Sequence, residues 1–208
     1  MNFLCHMLLS GEDDQILVGN FMGDFVKGAL ADRFPERIRQ GIALHRRIDS
    51  FASRNDLFQQ SRRRIDPRYG LYRGVMVDLF YDHLLVKEWH NWSDEPFAEY
   101  LARSRAIIMQ HHDELPDRLQ PLVPIIFREL LPSYGEVGGI GSALARMSRR
   151  LTRHNPLAGG ETELVRNYEQ LRADFRGFMP LVSRSAADFV ASETKRVDAN
   201  DSGNYQAD

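Results

Sequence analysis

The 208-residue chain carries a net charge of −2, with 43% hydrophobic and 27% charged residues, the composition of a soluble globular protein with one sizeable core rather than a disordered one. No uncharged apolar run reaches the ~18 to 20 residues that span a bilayer, which excludes a helical membrane protein. The lone Cys5 cannot pair within the chain, which fits a reducing cytoplasm and a small core residue rather than a nucleophile.

Apolar residues recur every three to four positions and sustained alternation is missing, so the prediction is an all-α, single-domain, multi-helix bundle over residues 1–194. A short helix at 2–9, "NFLCHML", sets His6 among Phe3, Leu4, Met7 and Leu8. It has no basic leader and no small-residue cleavage site, and acids follow at once, so it is not read as a signal peptide. The helix predicted at 14–27 puts Asp24 in line with Leu17 and Phe21. At 36–53 the helix holds "GIALHRRIDS", where His45 and Asp49 stand one turn apart on a stripe running through Ile38, Ile42 and Ala52.

Of the 27 basic residues 24 are Arg, and between Arg46 and Arg73 eight Arg face three Asp, a local balance of +5 that suits an anionic partner. The helix predicted at 70–90 carries a stripe of Leu71, Val75, Leu85 and Trp89, with Asp78 and Asp82 in its middle and His83 beside them. Further helices are predicted at 96–114, 118–131, 137–151 and 161–192, with Pro35, Pro67, Pro96 and Pro116 at or before helix starts. Residues 195–208 hold almost no large apolar side chains and are expected to form a loose tail.

Four segments thus offer His or Asp from an apolar surface. A buried carboxylate without a partner costs several kcal/mol, and two side by side repel, so the faces need a cation. If the stripes converge, one or two divalent ions held by imidazole nitrogen and carboxylate oxygen satisfy all of them. The alternatives stay open residue by residue: His6 could be a hydrogen-bonded core histidine and Asp24 a cap or a partner for Lys27. Asp49 could pair with Arg46 or Arg47, and Asp82 with Arg68 or Arg73. His90, His111, His112 and His154 lack companion acids in this arrangement. Neither a cysteine-based zinc pattern nor HExxH is present.

Together "MNFLCHMLLS", "GNFMGDFVKG", "GIALHRRIDSF" and "VMVDLFYDHLLVKEW" closely resemble, in order, the acyl carrier protein phosphodiesterase family, also called acyl carrier protein hydrolase. The likeness is strong over roughly the first 90 residues, and the remainder is compatible in helix content and length. It implies hydrolysis of the phosphodiester that links 4'-phosphopantetheine to a serine of holo acyl carrier protein. It also implies an HD-domain-like helical fold, divergent from the HD phosphohydrolases in having no His-Asp dipeptide but the reversed pair Asp82-His83.

On the matching motif positions the implied metal ligands are Asp24, His45, Asp49, Asp82 and His83, with manganese favoured over magnesium or iron(II). His6 and Asp78 are then ligands, partners of ligands or proton-transfer groups. His6 or His83, if either is not a ligand, could be the general acid, and Arg46 or Arg47 grips the nonbridging oxygens. Lys27, Arg54, Arg62, Arg63 and Arg64 belong to the surface that takes the acidic carrier protein. Nucleic acid is not expected as a partner, since the chain is net acidic and shows no recognition motif. Two other readings remain: a metal-dependent phosphohydrolase of nucleotides or other small phosphoesters, and a noncatalytic adaptor for an acidic partner.

Overall fold

The computed structural model describes residues 3–30 and 33–204, and among these there are helices and turns but no strand. In chain order come α1 (Phe3–Leu8), α2 (Asp14–Met22), α3 (Glu36–Arg54), α4 (Asp56–Arg64), α5 (Arg73–Lys87) and α6 (Phe97–Gln110). The short α7 (Val123–Ile125) and α8 (Leu131–Ser133) follow, then α9 (Val137–Arg150), α10 (Glu161–Arg166) and α11 (Tyr168–Asn204). Leu4, Phe21, Ile48, Phe80, Tyr81 and Phe178 belong to one continuous core. No helix among the described residues is long and apolar enough to cross a membrane.

Local chemistry sets the helix starts. Asp13 accepts from the Ile16 N–H at 2.9 Å and caps α2, while Asn55 accepts from Leu57 and Phe58 and caps α4. Pro35 and Pro96 stand immediately before α3 and α6.

Two glycines bring α2 against α3. A Cβ on Gly19 would lie 2.1 Å from the Ile38 carbonyl oxygen, and one on Gly41 would lie 2.3 Å from that of Ile16. Only glycine at both positions permits this approach, and it sets the C-terminal end of α2 beside the middle of α3. On the far side α11 is fastened to α4: Asp174, 3% exposed, accepts from Gln60 Nε2, Ser61 Oγ and Arg64 Nε at 2.9, 3.0 and 2.8 Å. Glu88, also buried, is clamped by Arg172 and Arg176.

Several expected elements come out shorter or broken. The helix predicted at 70–90 begins at Arg73, because Asp66 caps a 3-10 segment over Pro67–Tyr72 in which Gly70 takes φ 50°, ψ −123°. Leu71, assigned to its apolar stripe, is instead 90% exposed. The helix predicted at 118–131 is a chain of pieces: a 3-10 turn at Gln120–Leu122, α7, a π-helical turn at Ile126–Leu130, and α8. Pro121, Pro124 and Pro132 each lack the N–H that a regular ladder needs. The helix predicted at 161–192 divides at Asn167 into α10 and α11. Beyond it, α11 is helical as far as Asn204, where composition predicts a loose tail from 195. Extending an existing helix needs no new nucleus, and Ala191, Glu193 and Lys195 are good helix formers. Residues 205–208 of that tail lie outside the described residues.

Candidate metal centre and its cleft

Four elements meet where α2 crosses α3. From α1 comes His6, from the end of α2 Asn20, from the 3-10 turn Gly23–Phe25 Asp24, and from α3 His45 and Asp49. The rings of His6 and His45 stack at 3.8 Å and 10°. That packing requires a glycine beside it, since a Cβ on Gly23 would lie 2.2 Å from His45 Cγ.

Asn20, wholly buried, orients both rings. Its Nδ2 donates to the His6 carbonyl at 2.6 Å and to Ser10 Oγ at 3.0 Å, which leaves its Oδ1 to accept from His6 Nδ1–H at 2.8 Å. The Asn20 carbonyl accepts from His45 Nδ1–H, also at 2.8 Å. With both Nδ1 atoms committed as donors, both Nε2 atoms turn toward the carboxylates. His6 Nε2 lies 3.3 Å from Asp49 Oδ1, and His45 Nε2 lies 3.4 Å from Asp24 Oδ1 and 3.4 Å from Asp49 Oδ2. Both are buried and neither makes a hydrogen bond of proper geometry.

Burial, reinforced by the neighbouring His45 charge, lowers His6 to about 4, so its ring is neutral near pH 7. Burial works against a charge on His45 as well, but the carboxylates of Asp24 and Asp49 outweigh it and hold that imidazole up at about 9. In return His45, with His6 at Asp49, keeps both carboxyls below their ordinary value against the opposing effect of burial. Two carboxylates therefore share one imidazolium and retain an excess negative charge. A divalent ion fits this set: one donor atom each of His6, His45 and Asp49 lies within 4.8 Å of the others, Asp24 adjoins them, and each imidazole is anchored through its other nitrogen.

The acids open onto a cleft of about 550 Å³ whose lining includes Asp24, Asp49, Asp78 and Arg62 together with apolar Phe58 and Leu71. Asp78, from α5, is partly buried, and that burial raises its carboxyl above the ordinary range.

Other expected ligands lie elsewhere. Asp82 accepts from the Leu4 N–H at 3.1 Å and the Cys5 N–H at 3.0 Å, one on each oxygen, so it caps the first turn of α1 instead of facing the cluster. Burial pushes it up to about 6 although these N–H groups and the Cys5 thiol pull it down. His83 follows Asp82 around the helix and donates from Nδ1 to the Tyr134 carbonyl at 2.8 Å, edge-on to Tyr168. The expected pair Asp82-His83 thus splits between two structural partners, and the grouping of imidazoles and acids is His6, Asp24, His45 and Asp49.

The arginines separate likewise. Arg46 donates to the carbonyls of Val26 and Gly28, at 3.3 and 2.9 Å, and ties down the loop that follows Asp24, rather than reaching into the cleft. Arg47, Lys27 and Arg63 are exposed, Arg54 folds back on Ser50, and Arg64 pairs with Asp174. Of the expected substrate-binding cations only Arg62 lines the cleft. Asn20 was not singled out from sequence. Its signal was available, as an amide one turn before Asp24 on a helix whose residues from Ile16 to Met22 are otherwise apolar or glycine.

A family model described as "Acyl carrier protein phosphodiesterase" matches residues 1–182. A protein of that name from Serratia proteamaculans (strain 568) is 30% identical over 197 residues, covering 90% of this chain and 98% of its own length. Those of Yersinia pestis and Klebsiella pneumoniae (strain 342) are 29% and 31% identical over 188 residues, each covering 89% of this chain and 97% of its own length. No solved structure matches the chain.

Proposed function

The chain belongs to the acyl carrier protein phosphodiesterase family, and we propose that it cleaves 4'-phosphopantetheine from the serine of holo acyl carrier protein at the cluster of His6, Asp24, His45 and Asp49. The observation that carries this reading is the meeting of those four side chains at a cleft, with both Nε2 atoms turned inward and lacking well-formed hydrogen bonds. An adaptor whose acids merely pair with arginines would look different: here Asp24 and Asp49 face imidazoles, and Arg46 serves backbone carbonyls.

His6 and His45 through Nε2, with the carboxylates of Asp24 and Asp49, would hold a divalent ion, manganese ahead of magnesium or iron(II). When bound, such an ion neutralises phosphoryl oxygen charge and makes water acidic enough to attack near neutral pH. The chain's own groups do the rest. Asn20 keeps both imidazoles in the tautomer that offers Nε2, and Asp82 holds the turn that carries His6. In the reaction a water oxygen bonds to phosphorus, the bond from phosphorus to the serine oxygen breaks, and that oxygen takes a proton. Asp78, in the cleft wall and with its carboxyl raised by burial, would supply it.

The end of α3, α4 and the 67–74 segment all contribute to the cleft wall, and the same segments carry the exposed Arg54, Arg63 and Arg68. An acidic carrier protein would be steered there, more weakly as salt rises. Incubation with holo carrier protein and manganese, followed by mass measurement of the carrier, tests the reading. The expected result is loss of the phosphopantetheine mass, prevented by chelator; an unchanged carrier mass contradicts it.

A further inference from the structure

Arg62 is the one cationic side chain among the residues lining the cleft, which are otherwise acidic, small or apolar. Its Nη1 donates to Gln59 Oε1 at 3.2 Å within its own helix, while its Nε is shut from water without a hydrogen-bond partner. No ion pair joins Arg62 to any acid among the described residues, although Asp24, Asp49 and Asp78 line the same cleft. Arg64, two residues on, is fully matched by Asp174. Beside Arg62 stands Gly74, where a Cβ would lie 3.7 Å from Arg62 Nε and meet nothing else within 4 Å.

A partly desolvated guanidinium with an unsatisfied N–H attracts an oxyanion strongly and can take two of its oxygens at once. We propose that Arg62 is a catalytic residue that grips the nonbridging oxygens of the scissile phosphodiester. This rests on the reading that a phosphodiester enters the cleft. Charge accumulates on those oxygens as water attacks, so the contact strengthens toward the transition state and its loss falls on kcat more than on KM.

The test compares wild type, Arg62→Ala and Arg62→Lys in manganese buffer with holo carrier protein. Arg62→Ala is expected to lower kcat ~10²-fold or more with KM changed less than about threefold. Arg62→Lys recovers part of the rate, and added guanidinium ion at millimolar concentration restores part of it to Arg62→Ala. A role confined to packing would respond to neither. An Arg62→Ala enzyme within threefold of the wild-type kcat, or one whose lost rate neither lysine nor guanidinium recovers, overturns the proposal. If the wild type leaves holo carrier protein intact, the proposed reaction fails, and binding of inorganic phosphate to the manganese-treated protein decides Arg62 separately. Binding at least tenfold weaker in Arg62→Ala supports the grip; equal binding, or none by wild type, overturns it.

Discussion

At the scale of single residues, the centre depends on which nitrogen each imidazole offers. Asn20 decides this for both, through its side-chain oxygen to His6 and its backbone carbonyl to His45. Asn20→Ala strands His6 Nδ1–H, while Ser10 Oγ and the His6 carbonyl keep their bond to each other, and should cost roughly 1–3 kcal/mol in urea unfolding. Manganese affinity, measured by calorimetry, should fall about 10- to 100-fold, the usual effect of losing a partner that orients a ligand. His45 adds a pH dependence to the metal-free protein. Its folded value of about 9 stands above the ordinary 6.5, so its contribution to stability is full below about pH 6.5 and is lost as pH rises toward 9. Urea midpoints after chelation should decline over that interval, and the decline should be smaller in His45→Gln; a flat wild-type profile contradicts the pairing. Sequence pattern was enough to mark His6, Asp24, His45 and Asp49, because polar groups on apolar stripes stand out. Asp82 gave the same signal and caps a helix instead. Periodicity tells which side of a helix a residue faces, not whether a backbone N–H or an ion waits for it.

At the scale of elements, the site is made by one helix crossing and one short helix. Gly19 and Gly41 let α2 and α3 touch, and Gly23 leaves room for the His45 ring. Gly23→Ala puts a methyl group 2.2 Å from His45 Cγ, so the ring must move. The expected outcome is loss of turnover with helix content by circular dichroism unchanged and stability lower by about 1–3 kcal/mol. Asp82→Ala removes the acceptor for two N–H groups of α1 and should cost roughly 1–3 kcal/mol, with Asp82→Asn between it and wild type in thermal unfolding. Helix starts were legible where a cap or proline announced them. α4 was missed although Asn55 signalled it, because within Asp56–Arg64 only Phe58 and Ser61 are buried and the arginines masked the period. The breaks at Pro121, Pro124 and Pro132 were visible in the sequence, but an apolar rhythm carried across them hid how often the ladder would fail.

At the scale of the whole molecule, the helical class followed from a period of three to four that recurs along most of the chain. What no pattern could supply was which stripes meet. The family match runs to residue 182 and therefore includes α5, α9, α10 and the first part of α11. Asp174 and Glu88 fasten α11 to α4 and to the end of α5, which makes the later half of the chain a buttress for the half that carries the imidazole and carboxylate cluster. The central claim is that imidazoles and acids from α1, α3 and the turn after α2 form one hydrolytic centre. It is tested most directly by measuring manganese binding and holo carrier protein turnover side by side in wild type, His6→Ala and His45→Ala, each checked for helix content. Both variants are expected to keep their helix content and lose manganese binding and turnover together; a folded His45→Ala that turns over holo carrier protein as the wild type does would contradict the claim.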